Sequence, residues 1–133
     1  MTMWRRTSTR KSNPLPANTT PTEYQEQVAL VHYLKLRALP HFRVPNETYT
    51  KSVRQKQMNR LLGVSAGVPD LFVIVGGRLI GIEMKRKKGS VTSEYQKQWI
   101  AQLNSVGIET RVCKGCDEAI SFIEEVIHAG KTI

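Results

Sequence analysis

Cysteine is scarce in this chain, which contains only Cys113 and Cys116. A tetrahedral zinc site would need two further ligands, and none of the three histidines lies at a useful spacing from the Cys-Lys-Gly-Cys pair. We therefore expect Cys113 to end a buried strand and Cys116 to lie in the turn after it. A redox or metal role is not expected for either thiol.

Long apolar runs are also missing. No stretch approaches the roughly 18 apolar residues that a membrane-spanning helix requires. The N-terminus lacks the apolar stretch and the small-residue cleavage site of a signal peptide. We therefore expect a cytosolic protein with no membrane partner.

Acidic residues are few compared with basic ones. The chain has 20 lysines and arginines against 11 aspartates and glutamates, so its formal net charge is +9. This excess favours a polyanionic partner such as nucleic acid. Residues 1–20 are basic, contain no acid and are too polar to bury a core segment, which predicts a flexible basic arm. Residues 21–133 then form a single domain.

Capping signals, prolines and glycines divide that domain into helices and strands. Thr20-Pro21-Thr22-Glu23 combines a capping box with proline at the first helical position, so a helix should run from there to about Leu39. Ser93-Glu94-Tyr95-Gln96 is a second capping box, which opens a helix that ends before Gly107. The remaining predictions are a short strand or loop around Phe42 and Val44, a helix over 52–62, a strand over 108–113 and a helix over 117–128.

Two apolar runs, residues 71–75 and 79–82, are separated by Gly76-Gly77-Arg78 and predict a buried hairpin. If the two glycines form its loop, the register places Asp70 opposite Glu83. Opposed residues have Cβ atoms roughly 4.5–5.5 Å apart, where like charges repel, so this pair needs an explanation. A divalent cation between the carboxylates supplies one. Lys85 joins them, because side chains two apart on a strand share a face.

Carboxylate oxygens from Asp70 and Glu83 suit Mg²⁺ or Mn²⁺, which keep several waters and contact substrate phosphate. With Lys85 beside it, such a metal can activate water and stabilise charge on a phosphodiester, so the predicted chemistry is hydrolysis. The alternative is that residues 83–88 are a charged strand end and Asp70 a turn residue after Pro69. That interpretation leaves the facing carboxylates unexplained.

Three segments together resemble the VRR-NUC branch of the PD-(D/E)XK nucleases. They are Gly67-Val68-Pro69-Asp70-Leu71, Ile82-Glu83-Met84-Lys85 and Thr92-Ser93-Glu94-Tyr95-Gln96-Lys97-Gln98-Trp99. The resemblance covers about Glu23 to Val126 and implies a restriction-endonuclease-like α/β fold, a central mixed sheet flanked by helices. It also implies Mg²⁺- or Mn²⁺-dependent phosphodiester cleavage in DNA. Stand-alone members come from phages and bacteria, are often homodimers and act on branched or junction DNA in replication, recombination or repair.

The resemblance further implies an acidic residue on the first helix near the metal, for which Glu23 and Glu26 compete. At about 100° per residue, one face of this helix is apolar. It consists of Tyr24, Val28, Val31, Leu34 and Ala38. Glu23 lies on the flank of that face and is preferred as a catalytic and metal-binding residue, although it could instead complete the capping box of Thr20. Glu26 points away and would be solvated surface.

On the helix after the core lysine, the resemblance implies that Gln96 lies near the active site as a catalytic residue. Its alternative role is to cap the helix with Ser93, and Gln98 is close enough to compete for the alignment. Trp99 follows the apolar period of this helix, which predicts a core position rather than a base-stacking platform.

Basic residues near the metal motif are predicted to hold the DNA backbone. The candidates before the motif are Lys35, Arg37, Arg43, Lys51, Arg54, Lys56 and Arg60, and those after its lysine are Arg86, Lys87 and Lys88. Of these, Arg54, Lys56, Arg86, Lys87 and Lys88 are preferred. Contacts of this kind give affinity without sequence preference and a steep salt dependence. The alternative for each is plain solvated surface. Asn46 and Glu47 could also reach the site from the preceding strand.

The sequence therefore favours a metal-dependent DNA endonuclease, acting as a homodimer if the two strands of a branched substrate each need an active site. One rival is a non-catalytic DNA-binding module of the same fold, although a pure binder has no need of acids facing a polyanion. Another is a subunit that cleaves only when a helicase or recombination partner delivers the substrate. In each case the expected location is the cytoplasm of a bacterium or phage-infected host.

Overall fold

The computed structural model describes residues 19–45 and 52–131. Nearly all of the predicted basic arm, and Asn46 and Glu47, lie outside these residues. The described elements are α1 (Glu23–Leu36), β1 (His41–Arg43), α2 (Val53–Leu61), β2 (Leu71–Val75), β3 (Arg78–Lys85), α3 (Glu94–Ser105), β4 (Thr110–Lys114) and α4 (Cys116–Lys131). No helix in this part of the chain is long and apolar enough to cross a membrane.

The four described strands form one sheet in the order β1-β2-β3-β4. β2 is antiparallel to both β1 and β3, whereas β4 runs parallel to β3, so the sheet is mixed as predicted. The hairpin register is also confirmed, since Val75 pairs with Arg78 and Leu71 with Ile82. Gly76 and Gly77 have φ of 62° and 76°, which the tight turn requires.

The core lies on one face of the sheet, between β2, β3, α1 and α4. Ile80, Ile82 and Met84 of β3 are fully buried there, together with Phe122 and Ile123 of α4. Successive residues of a strand point to opposite faces, so Glu83 and Lys85 share the face of β3 that is turned away from this cluster. The restriction-endonuclease-like α/β architecture is thereby confirmed, with a polar pair on the second face of its central strand.

The start and end of α1 differ from the prediction. Thr22, not Thr20, is the N-cap, and its capping box is completed by Gln25. The helix ends at Leu36, short of Leu39. The sequence allows two overlapping capping boxes, one starting at Thr20 and one at Thr22, and the box of Thr22 with Gln25 is the one that forms. Glu23 is therefore free of the capping role that competed with a role in the site.

Of the predicted buried face of α1, only Leu34 is buried. Its buried residues are Glu26, Leu30 and Leu34, whereas Tyr24 and Val28 are 77% and 50% exposed. Apolar side chains occur on several sides of this helix, and the stripe through Leu30 and Leu34 is the one that meets the sheet and α4. The pattern within the helix could not show which stripe has a partner.

Glu26 is buried rather than solvated, and Cys116 begins α4 rather than lying in the preceding turn. The Glu26 Oε1 atom accepts a hydrogen bond of 2.9 Å from the Cys116 backbone N–H. A carboxylate is favourable there because the first N–H groups of a helix lack internal partners. Cys113 is buried in β4 as expected, and burial raises the pKa of its thiol to about 12. That thiol stays protonated at neutral pH, which disfavours a role as nucleophile or metal ligand.

Candidate active site

Asp70 is held in place by its own strand pairing and by the loop that precedes it. Its carbonyl accepts a hydrogen bond of 2.9 Å from the Val44 N–H, which extends the β1–β2 ladder. Just before it, Pro69 is buried and Gly67 has a φ of 87°. A Cβ on Gly67 would lie 2.5 Å from the Tyr95 carbonyl carbon. The loop before β2 therefore passes directly against the start of α3, and only glycine allows this approach.

Asp70 lies one residue beyond the last pair of the hairpin, Leu71 with Ile82, so the same register places it opposite Glu83. The pKa of Glu83 is raised from 4.5 to about 8, first by burial and then by the charge of Asp70, while Lys85 opposes the shift and Glu23 adds to it. Burial also raises the pKa of Asp70, and the charge of Glu23 contributes. The two carboxylates and Glu23 therefore form one electrostatically coupled group.

Lys85 and Glu83 are joined through Gln96. The Lys85 Nζ atom donates to Gln96 Oε1 at 3.0 Å, and Gln96 Nε2 donates to Glu83 Oε2 at 3.0 Å. The Lys85 Nζ and Glu83 Oε2 atoms are 3.8 Å apart. Gln96 Oε1 also accepts from the Ser93 N–H at 2.9 Å, so the capping box forms as well. The two roles considered for Gln96 are compatible, and one side chain fills both.

Two carboxylate oxygens at this site are buried without a hydrogen-bond partner among the described residues. They are Asp70 Oδ1 and Glu83 Oε1. A buried oxygen of this kind is costly unless something positive meets it. Hard oxygen donors fit Mg²⁺ or Mn²⁺, which are held by one or two carboxylates and retain waters. In the described segments no three His, Cys, Asp or Glu side chains are gathered closely enough to hold a metal. An ion at this site would therefore be held by the two carboxylates and would keep waters as its other ligands.

All five predicted catalytic residues line one open cavity of about 950 Å³. They are Glu23, Asp70, Glu83, Lys85 and Gln96. Glu26 lies elsewhere, against α4, so the structure brings the preferred first-helix glutamate to the cavity and not its competitor. The helical-face argument that selected Glu23 was nevertheless wrong, because the face it relied on is largely exposed.

Basic residues also line the cavity, and they are a part of the predicted set. Of the five preferred DNA-binding candidates only Lys56 lies there. Arg54 is exposed on α2, and residues 86–88 are exposed after β3, where Lys87 pairs with Asp117 at 3.3 Å. Arg43 and Arg60, which belong to the wider predicted set, line it as well. Arg60 is four residues after Lys56 and shares its helical face, a signal visible in the sequence. Arg43 is placed by strand pairing, which the sequence did not show.

Trp99 does not lie in the core. No residue of α3 is buried, and Trp99 is a half-buried residue that lines the same cavity as Asp70 and Lys85. The apolar residues of α3 do recur at helical spacing, as predicted. The stripe that they form does not face the main core cluster, which consists of residues from α1, α4 and the sheet.

Comparisons with known proteins agree with this geometry. A family model described as VRR-NUC domain matches residues 20–117. A solved structure named "VRR_NUC domain protein" is similar at a TM-score of 0.62 and 26% sequence identity, covering 83% of this chain and 91% of that chain. No curated protein matches the sequence. The family match spans the helix that carries Glu23, both strands of the carboxylate hairpin and the helix that carries Gln96. The chain therefore belongs to the VRR-NUC domain family, a family of nuclease type.

Proposed function

We propose that this protein is a Mg²⁺- or Mn²⁺-dependent deoxyribonuclease that hydrolyses phosphodiester bonds within DNA. The observation that carries the proposal is the pair of buried, unpartnered oxygens on Asp70 and Glu83 beside an oriented lysine. Membership of a nuclease-type family supports the same reaction, and the basic wall of the cavity supports DNA as the substrate.

In this proposal Asp70 and Glu83 would hold the metal, and Glu23 at the cavity wall would add negative charge to the same site. When bound, Mg²⁺ or Mn²⁺ would supply activation of a water molecule and stabilisation of charge on the phosphate. The Lys85 ammonium has three donors and gives one to Gln96 Oε1 at 3.0 Å. Its remaining donors can stabilise the negative charge that develops on the phosphate oxygens. Gln96 is a positioning residue, because it holds Lys85 and Glu83 in one arrangement.

DNA is held through its phosphates. Lys56, Arg60 and Arg43 line the cavity and can neutralise the backbone next to the carboxylates. The exposed Arg54 and residues 86–88 lie outside it and would serve a longer stretch of DNA. Such contacts position the duplex without reading its sequence.

The proposal extends to a structure-selective enzyme that acts on branched or junction DNA in replication, recombination or repair. A homodimer would supply two active sites for two strands, and a helicase or recombination protein could deliver the substrate. Its setting would be the cytoplasm of a bacterium or a phage-infected host. These statements rest on the family resemblance, and the +9 charge is consistent with them.

The test is cleavage by the purified chain of duplex, single-stranded, flap and four-way junction DNA, with Mg²⁺, Mn²⁺ or EDTA. We expect cleavage with either metal and none with EDTA. Asp70→Asn should abolish it, whereas Asp117→Asn, at an aspartate whose side chain is 85% exposed, should not. Near-normal cleavage by Asp70→Asn across metal concentrations would contradict the site. DNA binding without cleavage of any substrate would favour the non-catalytic alternative.

A further inference from the structure

Trp99 has a position that the proposed hydrolysis does not explain. It follows Gln96 by three residues on α3, so both side chains lie on the same face of the helix. Gln96 reaches Glu83 and Lys85 from that face. Trp99 lines the same cavity as those residues, so a large aromatic side chain stands beside the proposed catalytic group.

Trp99 is half-buried and lies outside the main core. It belongs neither to the buried core cluster nor to the partly buried residues packed against that cluster. Tyr95, one turn earlier on the same face, also lines the cavity and is 64% exposed. Aromatic surface therefore lines an open cavity, where a ligand with a flat apolar face would cover it.

Nucleic acid supplies such a face together with the charge that the rest of the cavity would bind. Clefts that bind single strands combine basic side chains along the backbone with aromatic rings on which bases stack. Lys56, Arg60 and Arg43 provide the first of these and Trp99 the second. Bases within a continuous duplex are already stacked on their neighbours, so only an unpaired base can offer its face to Trp99.

We propose that Trp99 is a base-stacking site for an unpaired nucleotide next to the phosphate bound at Asp70 and Glu83. The inference rests on the proposed function for the position of that phosphate. It names the substrate feature that the site selects: a single-stranded, flapped or frayed nucleotide beside the bond to be cut. Stacking of one base on an aromatic side chain corresponds to about a tenfold or greater gain in affinity.

The first experiment follows Trp99 directly and does not depend on cleavage. The chain has two tryptophans, so Trp4→Phe leaves Trp99 as the only one. Its fluorescence is titrated in EDTA and low salt with oligothymidylate, with a strand of equal length made of abasic sugars, and with a blunt duplex. We expect strong quenching by oligothymidylate and little by the other two. Equal quenching by the abasic strand, or by the duplex, would overturn the proposal.

The second experiment separates stacking from packing. Trp99→Phe keeps a ring, whereas Trp99→Leu keeps an apolar side chain without one. The Trp99→Leu variant should bind oligothymidylate about tenfold more weakly than the wild type, and the Trp99→Phe variant should lose much less affinity. Both variants should bind blunt duplex like the wild type. Thermal unfolding of both variants is the control for the fold. Equal binding by the two variants would refute the stacking role, and if the leucine variant does not fold, the quenching experiment still decides.

The two proposals can fail separately. A wild-type protein that cleaves DNA but shows no difference between oligothymidylate and the abasic strand would retain the hydrolytic function and lose the stacking site. A protein that cleaves nothing but shows base-dependent quenching of Trp99 would retain the stacking site and lose the hydrolytic function.

Discussion

Replacing Glu83 by glutamine should stabilise the metal-free protein and abolish its activity. Glu83 is 4% exposed, and burial with the charge of Asp70 raises its pKa from 4.5 to about 8. Between these two pH values the native carboxyl keeps its proton while the unfolded one has released it. The unfolded state is then favoured progressively as the pH rises, so this residue lowers the free energy of unfolding through the window from 4.5 to about 8.

The size of the effect follows from the same values. One pKa unit corresponds to about 1.4 kcal/mol, so at pH 7 ionisation of unfolded Glu83 costs the native state up to about 3 kcal/mol. At pH 5 the same cost is below about 1 kcal/mol. Glutamine does not ionise, and its amide oxygen can still accept the bond that Gln96 Nε2 donates to Glu83 Oε2 at 3.0 Å. We therefore expect the melting temperature to rise by several degrees at pH 7 and hardly at pH 5.

The assay is thermal and urea unfolding in EDTA at pH 5, 7 and 8. Glu94→Gln is the matched control, because the Glu94 side chain is 80% exposed. Adding Mg²⁺ should raise the melting temperature of the wild type, since a ligand that binds only the native state stabilises it, and should not raise that of Glu83→Gln. A variant that is less stable than the wild type, or one whose gain is the same at pH 5 and pH 8, would refute the electrostatic reasoning.

Two further predictions concern Lys85 and the basic cavity wall. Lys85→Ala should lower the single-turnover cleavage rate by orders of magnitude and weaken DNA binding only modestly, and Lys85→Arg should restore little because its guanidinium is larger and spreads its charge. Equal losses in rate and affinity would make Lys85 a binding residue. DNA affinity should fall steeply with added salt and vary little with base sequence, and Lys56→Ala or Arg60→Ala should each reduce the slope of log affinity against log salt by about one. A flat salt response would contradict the phosphate contacts.

The hairpin could be predicted from the sequence because its determinants are local. Gly76-Gly77 between two apolar runs allows one tight turn, and the turn fixes every pair from Val75 and Arg78 to Leu71 and Ile82. Extending this register by one pair places Asp70 opposite Glu83. The start of α3 could also be predicted, because Ser93 and Gln96 are three residues apart and form a capping box that depends only on the local sequence.

The orientation of α1 could not be predicted in the same way. Its sequence offers one apolar stripe through Tyr24 and Val28 and another through Leu30 and Leu34, and only contact with the sheet and α4 decides between them. The burial of Glu26 depends on a partner 90 residues away, the N–H of Cys116. Judged from the helix sequence alone, a charged residue such as Glu26 is expected at the surface. The neighbouring residues give no sign that the start of another helix will pack against it.

The residues that surround the catalytic group are determined by contacts between distant elements. Arg43 reaches the cavity because β1 pairs with β2. Trp99 reaches it because α3 lies on the side of the sheet that carries Glu83 and Lys85, and not against the main core. Charge runs and apolar periods describe one element at a time. They predict the helix that contains Lys56 and the helix that contains Trp99, but they do not predict that both side chains face the same cavity.

The first turn of α3 connects the two halves of the nuclease motif. The Ser93 N–H and the Lys85 ammonium are both donors directed at one Gln96 oxygen, which leaves the Gln96 NH₂ group for Glu83. The capping box that starts the helix thus also sets the orientation of the side chain that aligns lysine and carboxylate. On the other side, Gly67 lies against the backbone of Tyr95 and Gln96 and brings Asp70 to the same helix end. Asp70 through Gly67, and the Glu83–Lys85 pair through Gln96, are therefore both held against this turn of α3.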